Sequence, residues 1–190
     1  MKNTINPTQL LSSWTNFEQK ILKLLNTLQL DSLNLTCDHV ALRVNSVEAA
    51  DELKQWFSDQ GEIISNNMIN GRPILIFDLH SPLKLGNFSI ECVELPYPSD
   101  KVYPQEGWEH IELVLPGGAK TCEQLTEQLY QASPAIETLL ADNDQFNIKL
   151  SSPKGDGERL ANPTIAIKAD GICIKIHPHH IRTIIESEQH

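Results

Sequence analysis

Long apolar runs are missing from this 190-residue chain. No stretch reaches the roughly 18 apolar residues that a membrane helix requires. The opening MKNTINPTQLLSSW lacks a continuous signal-peptide core. A cytoplasmic protein with no membrane partner is therefore expected. An excess of basic residues is missing too: the formal net charge is −10. Nucleic acid is excluded as the main partner, because binding it needs a basic face. No run of like charge is long enough to read as an interaction tail. Paired cysteines are also absent. Cys37, Cys92, Cys122 and Cys173 are scattered and form no CxxC, which argues for small buried hydrophobes over a disulfide framework or a zinc knuckle. No phosphate loop is present, since the GDG within SSPKGDGERLANP (151–163) lacks the strand–GxxxxGK–helix context.

What remains is ordinary globular composition, with 40% hydrophobic residues, enough for a normal core. Residues 7–30 read as a helix, because Leu10, Trp14, Phe17, Ile21, Leu24 and Leu28 recur at three- and four-residue steps. CDHVALRV (37–44) alternates with period two and reads as a strand with His39, Ala41 and Arg43 on one face. Asn45, three residues before Glu48, signals a helix start, with Val47, Ala50, Leu53 and Phe57 on the buried stripe and Gly61 as the stop. Strands are expected around 63–64, 72–79 and 87–95. A proline-rich linker, PYPSDKVYPQEGW (96–108), follows. The pattern then restarts. EHIELVLP (109–116) is a strand carrying His110, Glu112 and Val114 on one face, and Thr121 with Gln124 starts another helix that breaks near Pro134. Strands are expected at 146–150, 164–168 and 171–177, followed by a short closing helix.

The order strand–helix–strand–strand–strand thus occurs twice, with His39 and His110 opening the two copies. An offset of 71 residues is too long for a solenoid and suits two pseudo-symmetric halves. The expected fold is α+β: two βαβββ modules forming a curled mixed sheet around a central cleft, with an extra N-terminal helix. Residues 1–190 form one domain, divided into a helical extension (1–35), the modules (36–97 and 108–178) and a tail (179–190). If the first strands lie together, their polar faces enclose one cleft. The last strand adds Cys173, Lys175 and His177 to it, and the fourth strand offers Glu91 or Glu94. Converging imidazoles and carboxylates suit a divalent metal with an open position. The alternative is that each His is simply hydrogen-bonded at a strand start.

The segments DHVALRV, ISNNMINGRPI (64–74), VELPYP (93–98), YPQEGWEHIELVLPG (103–117), SSPKGDGERLANPT (151–164) and IKIHP (174–178) resemble the bacterial YecM family. The layout resembles the wider vicinal oxygen chelate superfamily, which includes glyoxalases, epimerases, extradiol dioxygenases and bleomycin-resistance proteins. That resemblance implies one metal site with ligands from the first and last strands of each module: His39, Glu94 and His110. In the superfamily's chelating enzymes the eighth strand usually offers a glutamate, and here Lys175 stands in that place. The resemblance then leaves two outcomes: a His39–Glu94–His110 triad, with or without His177 on the same face as a substitute ligand, or loss of the metal, with Lys175 binding an anionic substrate. The metal would be Zn, Ni, Mn or Fe. Glu94 and Lys175 are the candidate catalytic residues.

Arg43, on the face of His39, is a candidate to bind a carboxylate or phosphate, with a salt bridge to Glu112 or another acid as the alternative. Arg72, Lys154 and Arg159, in the loops NNMINGR (66–72) and SSPKGDGERLANP (151–163), are candidate substrate-binding residues, because their positive charge in a net-acidic chain points to an anionic ligand. Ordinary surface loops are the alternative. Three functions stay open: a metal-dependent isomerase, lyase or dioxygenase acting on a small oxygenated substrate; a non-catalytic, resistance-type binder of small molecules; and a peptide-binding protein using Trp108. The chain is expected to be a monomer or a homodimer.

Overall fold

A computed structural model of the chain describes residues 4–141, 144–152 and 160–188. The first helix, α1 (Pro7–Thr27), is capped by Asn6, whose side chain accepts the Gln9 N–H at 2.9 Å. Pro7 fits its first turn, where a missing N–H costs nothing. The apolar stripe buries Leu10, Phe17, Ile21 and Leu24 as the spacing predicts. The helix stops at Thr27 because Gln29 adopts a left-handed conformation, φ 57°.

The first module comprises β1 (Thr36–Arg43), α2 (Val47–Gln60), β2 (Gly61–Ile69), β3 (Arg72–Leu85) and β4 (Phe88–Pro96). The second comprises β5 (Gly107–Val114), α3 (Cys122–Ala132), α4 (Pro134–Ala141), β6 (Asn147–Ser151), β7 (Thr164–Ala169) and β8 (Ile172–His177), and α5 (Ile181–Glu188) closes the chain. All eight strands form one sheet, in the order β2-β3-β4-β1-β5-β8-β7-β6. In each module the last strand returns parallel to the first, β4 beside β1 and β8 beside β5. The modules join along the antiparallel β1–β5 seam. This is the α+β fold of paired βαβββ modules that the sequence leads one to expect. Two hairpins use left-handed turn pairs, Asn70–Gly71 (φ 53° and 79°) and Asp170–Gly171 (φ 51° and 75°), the chemistry a two-residue hairpin loop demands.

Period-two alternation sorts the two faces of the sheet. Val40, Leu42, Ile111, Leu113, Ile174 and Ile176 enter the main core under the helices. Trp108 is held there as well. Its Nε1–H donates to the Leu10 carbonyl at 2.9 Å, and its ring meets Trp14 edge-on at 4.8 Å. It anchors α1 to the sheet. On the opposite face, Ile74, Ile76 and Cys92 pack against Ile185 of α5.

Several local expectations shift. Ser46, not Asn45, caps α2, accepting the Ala49 N–H. Asn45 instead ties down the linker, with its Nδ2 on the Tyr103 carbonyl and its Oδ1 accepting the Tyr103 N–H, both at 2.8 Å. With the cap moved on by one residue, Ala49 joins the buried stripe and Val47 is left exposed. His80, expected in a loop, lies in the long β3, where a register shift between Asp78 and Leu83 absorbs it. Pro134 ends one helix and begins the next. Of the four cysteines, all free, Cys37, Cys92 and Cys173 are buried and Cys122 is half-buried. Among the described residues, no helix is long and apolar enough to cross a membrane.

Candidate metal centre

The seam between the modules brings the two opening histidines together. Ala41 pairs with His110 and His39 with Glu112 across β1–β5, while Ala41 faces Glu94 across β1–β4. Side chains opposite one another share a face. His39 and His110 therefore look into the same hollow, with ring centres 6.3 Å apart. One ligand atom from each of His39, Glu94, His110 and Glu112 lies within 4.8 Å of all the others. Ligands bound to a metal at about 2.0–2.2 Å are at most about 4.4 Å apart, so the four donors lie close enough together to be drawn onto one ion.

Each imidazole is steered by the residue before it. His39 Nδ1–H donates to Asp38 Oδ1 at 3.0 Å, and His110 Nδ1–H donates to Glu109 Oε2. Strict alternation would put Asp38 and Glu109 on the helix-packed face. The β1–β5 register slips at both, between Cys37 and His39 and between Ala41 and Leu42, so each is the extra residue of a bulge. Bulges re-aim side chains beside functional sites. Here they turn two carboxylates behind two histidines, fixing the rings so that each Nε2 faces the cluster.

The second ring nitrogens differ. His39 Nε2 reaches Glu94 Oε2 at 3.0 Å and Glu112 Oε1 at 3.4 Å. His110 Nε2 lies 3.4 Å from Glu112 Oε1 without the alignment of a hydrogen bond, and is a buried nitrogen lacking a partner. An orphaned buried polar atom is costly, and its position among three other donors fits a cation.

Charge points the same way. Burial alone would raise Glu94, but the His39 hydrogen bond and charge outweigh it and bring the carboxyl down to about 2. Glu112 is likewise held well below its usual range, against burial, by the charges of His39 and His177. Burial would lower His39, but Asp38 and Glu112 raise it well above its ordinary value. The buried carboxylates thus demand compensating positive charge, which imidazole protons or a bound divalent cation would supply.

His177, the expected substitute ligand, stands outside the four-donor group. It forms a second cluster with Asp38 and His39, in which its Nε2 bonds Asp38 Oδ2 at 2.8 Å and its Nδ1 meets Asn162 Oδ1 at 3.2 Å. Both nitrogens are engaged. Asp38 also accepts the Ile181 N–H at 2.8 Å, linking this network to the first turn of α5.

Lys175 faces Glu112 across β5–β8 and is half-buried at the cleft. Arg43 is buried, 3.5 Å from Glu109, and its guanidinium carbon lies 5.3 Å from the Tyr103 ring centre. Arg72 reaches Ser99 Oγ and the Tyr103 hydroxyl at 3.4 Å. Lys154 and Arg159 lie outside the described residues. Glu91 is exposed and pairs with Arg182 at 3.0 Å, so Glu94 is the fourth-strand carboxylate at the cluster. The cleft over the cluster encloses about 150 Å³ and is roofed by Ile181, Ile184 and Ile185.

Asp38 and Glu109 are absent from the sequence-derived site. The signal for them is an acidic residue directly before each opening histidine, which is informative only once the bulges are known. Glu112 is legible on the cleft face, and the superfamily's layout directs attention to the eighth strand instead.

The YecM protein family model matches residues 6–188. Protein YecM of Escherichia coli (strain K12) is 43% identical over 159 residues, covering 82% of this chain and 79% of its own. An uncharacterized protein of Haemophilus influenzae is 39% identical over 182 residues, covering 93% and 92%. A solved structure titled structural genomics protein EC4020 superposes with a TM-score of 0.81 at 36% identity, over 99% of this chain and 96% of that one. The chain belongs to the YecM family.

Proposed function

We propose that the protein is a divalent-metal-dependent enzyme acting on a small oxygenated substrate, with His39, Glu94, His110 and Glu112 as the metal ligands. The observation that carries this reading is the buried Nε2 of His110, which has no aligned hydrogen bond, 3.4 Å from Glu112 and beside the other donors of the cluster. When bound, a Zn, Ni, Mn or Fe ion would polarise a substrate oxygen. The chain's own groups do the rest. Asp38 and Glu109 orient the imidazoles. Glu94, whose side chain is 15% exposed against 10% for Glu112, is the cluster carboxylate more open to the cleft. Its Oε2 faces His39, and its other oxygen is the atom assigned to proton transfer. Lys175 and Arg43 place positive charge beside the cluster for an anionic substrate group. The isoleucines of α5 shed water from the cleft, which strengthens electrostatic interactions inside it.

Isomerisation, lyase and dioxygenase chemistry all begin with substrate oxygens held in this way. Plasma spectrometry of untagged protein tests the proposal. It should find one divalent ion per chain, with a higher unfolding midpoint than the chelator-treated protein. No bound metal, and no change in midpoint on adding Ni, Zn, Mn or Fe, would contradict it. Ligand binding that survives His39→Ala, without turnover, would favour the resistance-type binder, to which Lys175 in the eighth-strand position lends weight.

A further inference from the structure

Beyond the four-donor cluster, the concave face continues across the second module and its charge changes sign. The strand registers set His39, Glu112, Lys175, Ala166 and Lys149 in one cross-strand row. Lys168 stands two residues from Ala166 on the same face, opposite Cys173, which is itself opposite His110. Arg43, Arg72 and Lys101 form the other wall. These six cations line a single open hollow of about 500 Å³, which Glu109 and Glu112 border. The chain has only 15 Lys and Arg against 25 Asp and Glu, so this concentration runs against its overall charge.

Arg43 pairs with Glu109 at 3.5 Å and donates Nη1–H to the Leu42 carbonyl at 2.9 Å. Among the described residues, however, no carboxylate lies within salt-bridge distance of Arg72, Lys101, Lys149, Lys168 or Lys175. The Nε of Arg43 and that of Arg72 are buried with no hydrogen-bond partner, and Arg43 is only 8% exposed. Buried donors left in this way are destabilising unless a ligand supplies acceptors. A single carboxylate would satisfy one guanidinium and leave the other cations repelling each other. A phosphate ester brings about 1.5 to 2 negative charges and three strong acceptor oxygens.

We propose that this hollow is a phosphate subsite, so that the substrate is a small phosphate ester whose chelating oxygens meet the cluster while its phosphate rests among Arg43, Arg72, Lys149, Lys168 and Lys175. The inference rests on the metal-site reading for the placement of the other end of the substrate. Neighbouring strands are about 4.8 Å apart, so Lys149, two strands beyond Lys175, sets the far limit of the subsite roughly 10 Å further from the cluster.

Calorimetric titration of inorganic phosphate, at fixed ionic strength, into both chelator-treated and metal-loaded protein tests this, with acetate as the comparison anion. The variant is Lys149→Gln/Lys168→Gln, whose side chains are exposed and belong to the proposed phosphate subsite but not to the metal-ligand set. Phosphate should bind the metal-free wild type at least about tenfold more tightly than acetate, and the double variant should lose about tenfold with unchanged unfolding midpoint and metal content. Equal affinities for the two anions, no phosphate binding, or an undiminished affinity in the double variant would each overturn the subsite. Phosphate binding to a protein that takes up no metal would sink the metal reading and leave the subsite standing. Metal uptake without phosphate binding would do the reverse.

Discussion

Glu112 and Lys175 stand directly opposite one another in the parallel β5–β8 ladder, where the β1–β4 ladder sets Ala41 opposite Glu94. The two modules therefore offer one carboxylate each, but from different strands: the last strand in the first module, the opening strand in the second. Glu112→Gln should weaken metal binding by more than the about 10–100-fold typical of an outer-shell change, whereas Lys175→Met should leave metal content intact. Chelator competition measures both. Full metal affinity in Glu112→Gln would remove it from the ligand set.

The bulge carboxylates give a second expectation. Asp38→Asn and Glu109→Gln should each lower metal affinity by about 10–100-fold while leaving one site per chain. Asp38→Asn should also lower the unfolding midpoint, because Asp38 accepts from His39, His177 and the Ile181 N–H. Titration and thermal unfolding read the two effects separately. Wild-type affinity in both variants would show that the imidazoles need no such steering.

Much of this arrangement is legible in the sequence because both levels obey simple periods. The paired modules follow from the repeated strand and capping signals, and His39 and His110 from their matched positions at the start of each copy. The registers are not legible. A bulge shifts a side chain to the other face without changing composition, so Asp38 and Glu109 are hidden until the β1–β5 pairing is known. His177 reads correctly as facing the cleft, yet its two nitrogens are taken by Asp38 and Asn162, which come from distant segments. The cap of α2 moves by one residue because Asn45 is drawn off to the linker, a tertiary contact that local patterning does not contain.

Gly61 opens β2 with an extended backbone, φ −175°, so its importance is space, not conformation. A Cβ there would lie 2.2 Å from the Asp78 carbonyl oxygen. Gly61→Ala should cost about 1–3 kcal/mol through displaced backbone, seen as a lower denaturant midpoint. An unchanged midpoint would show that the β2–β3 edge yields freely.

The α5 roof is clamped by Arg182, which grips both oxygens of Asp78 at 2.8 Å. The Arg182 hydrogen bond holds the Asp78 carboxyl below the ordinary aspartate range. A carboxylate depressed in the folded state contributes stability above its unfolded pKa and loses it as pH falls through the folded value. The midpoint difference between wild type and Asp78→Asn should therefore be fullest near neutrality and close in strong acid. A pH-independent difference would assign the effect to packing.

Anomalous scattering from crystals of untagged protein soaked in Zn or Mn is the most direct test of the metal centre. One peak should appear within bonding distance of His39 Nε2, His110 Nε2, Glu94 and Glu112. A map with no peak there, or with the ion bound only elsewhere, would contradict the account.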